Sequence, residues 1–140
     1  MIKFIFLFIT LSGLLFSANV NTERRIYQHI LHALYPHKES IAIWSDDQNK
    51  KDILQNIPKV KLVKTPQQAD FVLLHKKKGI DTKGLIFVTD YHLLKYYDKD
   101  AIGGFYWQKG RPNILFLKQN LKKHHIKLPA DMQEYVEDTL

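Results

Sequence analysis

Two four-residue runs, Phe71-Val-Leu-Leu74 and Leu85-Ile-Phe-Val88, are apolar at every position. A strand with one wet face alternates between apolar and polar residues. A run that does not alternate predicts a strand buried on both faces, at the centre of a sheet covered by helices on each side. That requirement governs how the rest of the chain must be arranged.

The flanking segments supply the covering helices and the outer strands. Thr22 is placed to cap a helix carrying Ile26, Ile30, Ala33 and Leu34 on one stripe, ended by Pro36. Ile41 to Trp44 reads as a first strand, closed by the polar loop Ser45-Asp46-Asp47-Gln48-Asn49. Lys51 to Ile57 has helical spacing of Ile53, Leu54 and Ile57, and Val60 to Val63 reads as a second strand. Thr65-Pro66 predicts one helical turn through Ala69. Asp90 is a cap for a helix bearing Leu93, Leu94 and Tyr97. Ile102 to Trp107 and Ile114 to Leu117, joined across Lys109-Gly110-Arg111-Pro112, read as a β-hairpin. Asn120 to His125 reads as helical, and Met132, Tyr135 and Val136 predict a last short helix after Pro129. Strand and helix alternate before the hairpin, which implies parallel pairing first and antiparallel pairing after. The expectation is a single small α/β domain. It has a mixed five- or six-stranded sheet, short helices on both faces and a C-terminal β-hairpin.

Ahead of that domain lies the apolar run Phe4 to Phe16, preceded by Lys3 and followed by Ser17 and Ala18. A charge, a short apolar stretch and small residues are the layout of a secretory signal. The run is shorter than the ~20 residues that a spanning helix usually needs. We therefore expect residues 1–18 to be a signal peptide and 19–140 to be a single exported domain in the periplasm. An uncleaved membrane anchor is the alternative. The chain has no cysteine, so its stability must come from its core and not from disulfides. Removing the leader takes away one of 21 basic residues and leaves 20 against 14 acidic ones, a net charge of +6. A basic exported surface suits an acidic partner or a membrane surface, and an exported protein is not expected to meet nucleic acid.

No catalytic or cofactor motif is present. Seven histidines are spread along the chain. His29 and His32 stand at i, i+3 without a third ligand at metal-site spacing, so no metal and no cofactor is expected. Asp46 and Asp47 follow the first strand, and Asp90 and Tyr91 follow the fourth. Carboxyl ends of parallel strands are where open α/β sheets hold ligands. The same residues serve equally as ordinary helix caps. The most distinctive stretch is Gly103-Gly104-Phe105-Tyr106-Trp107, with Lys109 and Arg111 close behind. The glycines permit a bulge or a close backbone approach. In alternation Phe105 and Trp107 share one face and Tyr106 takes the other. Tyr106, Lys109 and Arg111 then form a candidate partner-binding patch of interface composition.

Gly103-Gly104, Phe116, Asn120 and the segment from Leu121 to Leu128 stand in the order found in the YfiR-like family of small periplasmic regulators, which this chain resembles. The chain differs from that pattern in having no cysteine and in closing on Lys127-Leu128-Pro129. The resemblance implies a non-enzymatic protein. It would bind the sensor part of an inner-membrane signalling protein, a diguanylate cyclase or sensor kinase. The other expectations are a small periplasmic solute-binding domain using Asp46, Asp47, Asp90 and Tyr91, and an exported metal-dependent hydrolase built on histidines and aspartates.

Overall fold

The computed structural model describes residues 19–140, so the expected signal segment lies outside the described residues. Residues 19–34 are helical (α1), and Thr22 therefore sits inside the helix and is not its cap. Then follow β1 (Ile41–Ser45), α2 (Gln48–Leu54), β2 (Val60–Leu62), a 3-10 turn (Pro66–Gln68), β3 (Phe71–Leu74) and β4 (Leu85–Val88). The chain continues through α3 (Tyr91–Tyr96), β5 (Ala101–Gln108), β6 (Arg111–Leu117) and α4 (Lys118–Lys123). A 3-10 helix (Ala130–Tyr135) and β7 (Val136–Glu137) complete it.

The strands form one seven-stranded sheet in the order β2-β1-β3-β4-β5-β6-β7. The first five are parallel, β6 returns antiparallel to β5, and β7 lies parallel to β6. The mixed α/β sheet is thus as expected, one strand larger than the upper count. The extra strand is Val136–Glu137, which pairs with Phe116 and Leu117 where a helix was expected. Two residues are too few to show a period. Two helices are also shifted: α4 runs Lys118–Lys123 where Asn120 to His125 was expected, and α2 begins at Gln48 because the Asp47 carboxylate accepts the Lys50 backbone N–H at 3.1 Å.

The two apolar runs do form central strands. Every residue of β3 is buried, and it lies between β1 and β4. Alternate residues feed two cores. One, with α1, α2 and the C-terminal segment, holds Phe71, Leu73, Phe87, Phe105 and Phe116. The other, under α3, holds Val72, Leu74, Val88 and Ala101 with Leu93, Leu94 and Tyr97. Helices therefore cover both faces, as the non-alternating runs demand.

Both expected roles of the paired glycines occur. Ile86 pairs with Ala101 but Phe87 with Gly103, so Ile102 is an extra residue, a bulge that puts Ile102 on the same face as Gly103, in the core of Phe87 and Phe105. The hairpin turn is only Lys109-Gly110, with φ of 52° and 74°. Arg111 and Pro112 belong to β6 and not to the turn. Pro112 pairs with Trp107, one step beyond the pair that closes the turn. At that register its nitrogen faces away from β5, toward an edge that β7 does not reach, so no ladder bond is lost. Buried Asn120 donates to the carbonyls of Asp98 and Ala101, each at 2.7 Å, and ties α4 to the start of β5.

Tyr27, on α1, is fully buried and packs edge-on to Phe105 at 5.2 Å. Its hydroxyl has no hydrogen-bond partner among the described residues. Burial first, then Glu23 and Asp47, push its ionisation well above the usual value of 10.0. The folded chain keeps this proton at a pH where the unfolded chain releases it, so stability falls as pH rises through about 10. Tyr27→Phe removes both the unpaired hydroxyl and its share of that slope. We expect it to stabilise the domain by about 1 kcal/mol at neutral pH and to flatten the loss above pH 10, as read by urea denaturation.

Candidate partner-binding surface

The strand order reverses direction at β1, so the crevice outside the carboxyl ends of β1 and β3 is where an open sheet of this kind would hold a ligand. Here the chain's own groups bridge it. Asp46, with a side chain 1% exposed, accepts the backbone N–H groups of His75 at 2.7 Å and Lys76 at 3.0 Å. The Lys78 ammonium approaches the same carboxylate at 3.5 Å. The His75 ring contacts the Thr89 hydroxyl at 2.7 Å and joins the end of β3 to the end of β4. Asp47 caps α2, and Asp90 caps α3 by accepting the His92 N–H at 2.7 Å. Each of the three aspartates thus holds a different backbone segment. No group of three or more His, Asp or Glu side chains among the described residues is placed to hold a metal ion.

A different set of groups comes together beside the hairpin. Tyr106 leaves β5 on the α3 side, and its ring lies 5.7 Å from that of Tyr91. These two tyrosines belonged to separate expectations, partner patch and ligand loop, and the fold makes them one cluster. Partial burial, then Tyr91, raise the ionisation of Tyr106 above its usual value, so its hydroxyl stays a neutral donor. Gln108, Arg111 and Asn113 share its face by strand alternation, with Lys109 at the turn beside them. Lys109 and Arg111 are exposed.

The surface continues beyond the expected residues. The Lys95 ammonium sits 5.1 Å over the Tyr91 ring, one helical turn along α3. Lys77 lies 5.0 Å over Tyr96, and Lys78 lies 5.6 Å over Trp44. Tyr96 is 56% exposed and packs edge-on to Tyr97 at 4.7 Å. Tyr97 in turn exchanges hydrogen bonds with the backbone of Lys78, at 2.6 Å to the carbonyl and 2.8 Å from the N–H. This fixes the basic loop 76–78 against α3. The i, i+4 spacing of Tyr91 and Lys95 was the available clue. Trp44 and Lys78 are far apart in sequence and gave none.

Chemically, the arrangement is a platform of aromatic rings with ammonium groups held over them. Each stacked pair contributes on the order of 0.5–1 kcal/mol at an exposed site, enough to order the lysine without burying it. Ordered cations beside half-exposed rings suit contact with carboxylate-bearing partners. No protein-family model matches this chain, and no curated protein is similar to it in sequence.

Proposed function

We propose that this protein is a non-enzymatic periplasmic regulator. On this reading it binds the sensor part of an inner-membrane signalling protein, a diguanylate cyclase or sensor kinase, and does so through the surface formed by α3, the 76–78 loop and the β5–β6 hairpin. The observation that carries the reading is the set of three lysines held over Trp44, Tyr91 and Tyr96, of which Tyr91 lies against Tyr106. Aromatic and basic residues at one exposed place are the composition of an interface core and its rim. The net positive charge of the chain agrees with an acidic face on the partner. The leader and the resemblance to YfiR-like regulators supply the compartment and the class of partner.

Changing Lys109 and Arg111 together to Glu tests this. The two side chains are exposed, so the variant should melt cooperatively at the wild-type temperature. Capture of an inner-membrane signalling protein from detergent-solubilised membranes should drop at least tenfold. Unchanged capture by the double variant rejects the surface. Capture only of anionic lipid vesicles, with no protein retained, replaces the partner with a membrane surface.

A further inference from the structure

The opposite face of β5 carries a second feature. Trp107 follows Tyr106 and points to the other core, where it packs 5.9 Å from Phe105. It closes a groove of about 580 Å³ between α1 and α2, whose walls include Val20, Glu23, Arg24, Lys50 and Ile53. That volume lies within the range of roughly 300–1,000 Å³ typical of small-molecule sites. The apolar floor is made by Val20, Ile53 and the indole. Glu23 is 8% exposed, an unusual place for a carboxylate. Its two oxygens accept from the Trp107 Nε1–H at 2.6 Å and from the Lys50 ammonium at 2.8 Å. The wall therefore neutralises its own buried acid and fixes the indole at the same time.

The remaining charges at the groove are unequal in their engagement. Asp52, exposed on α2, accepts the Gln48 side-chain amide at 2.9 Å. Arg24, half-buried on α1, has no ion-pair or hydrogen-bond partner among the described residues. A guanidinium at the rim of an apolar groove is complementary to a carboxylate, which it can grip by two parallel N–H bonds. We infer that this groove binds a small amphipathic carboxylate, with its head at Arg24 and its apolar body on Val20, Ile53 and Trp107. The site lies on the other sheet face from the partner surface and does not depend on it.

The two indoles of the chain make the test direct, because Trp44 lies on β1 under the Lys78 ammonium and serves as an internal control. With the full chain labelled at the indole nitrogens, 4-phenylbutyrate should shift the Trp107 N–H resonance saturably and leave that of Trp44 in place. The neutral analogue 4-phenylbutanol and the cationic 4-phenylbutylamine should bind at least tenfold more weakly. Arg24→Gln should weaken 4-phenylbutyrate by a similar factor while both indole resonances keep their unliganded positions. Equal binding of all three probes, tighter binding of the amine, no response at Trp107, or an Arg24→Gln variant that binds as well as wild type would each overturn the inference.

Discussion

Gly103→Ala is expected to cost the domain about 3 kcal/mol or more, a large share of the stability of a chain this size. A Cβ at this position would collide with the Leu115 carbonyl oxygen and lie 3.1 Å from the Phe116 Cα, both backbone atoms of the paired strand. No rotamer change relieves such a clash, so β5 and β6 must separate. The site matters for packing as well. Gly103 is in register with Phe87 on one side and Phe116 on the other, and those two rings stand 5.8 Å apart although they belong to non-adjacent strands. They meet across the glycine because it has no side chain. Strand separation therefore also loosens the ring stack of the larger core. Gly110→Ala makes the comparison. Nothing lies within 4 Å of a Cβ there, and only its φ of 74° is unfavourable, so about 1 kcal/mol should be lost. Urea denaturation of the two variants reads the difference. A Gly103→Ala protein as stable as Gly110→Ala would show that the strand contact is not as tight as described.

Glu23→Ala is expected to cost about 2 kcal/mol, because it removes one acceptor from two part-buried donors at once. The Lys50 side chain is only 16% exposed and would keep its charge without a counter-ion. The Trp107 indole N–H would lose its acceptor in the same step. Three elements are affected together, since Glu23 is on α1, Lys50 on α2 and Trp107 on β5. Glu23→Gln retains an acceptor for the indole but not the negative charge, so it should fall between wild type and alanine. Trp107 fluorescence follows the same order, moving to longer wavelength as the indole loses its fixed environment. Wild-type stability and an unshifted emission in Glu23→Ala would mean that the triad contributes nothing to joining these elements.

The parts of this fold that were legible in the sequence are those fixed by strong local rules. β3 and β4 could be read because burial on both faces leaves a run with no polar residue. Proline at position 66 and aspartate at position 90 marked the elements that follow them. The hairpin was legible, but its turn is shorter than it looked, because Pro112 reads as a turn residue and is in fact tolerated at an unpaired strand edge. β7 was hidden because Val136 and Glu137 are held by pairing with Phe116 and Leu117, a contact set by the tertiary fold. The surface behaved the same way. Strand alternation places Tyr106, yet nothing local in the sequence ties it to Tyr91, which it meets only through the fold. A lysine run such as Lys76 to Lys78 carries no local sign that the Tyr97 hydroxyl ties its loop to α3. Glu23 gives no signal in the sequence, since a single acid on an amphipathic helix is usually solvated and only burial reveals its role.

The most direct measurement is site-specific photo-crosslinking in living cells from a residue on the proposed surface and one away from it. A photoreactive amino acid at Tyr96 should yield one dominant adduct with an inner-membrane signalling protein, and the same probe at exposed Arg25 on α1 should not. Adducts of equal yield from both positions, or a partner reached from Arg25 alone, would contradict a binding role for the face built by α3 and the hairpin.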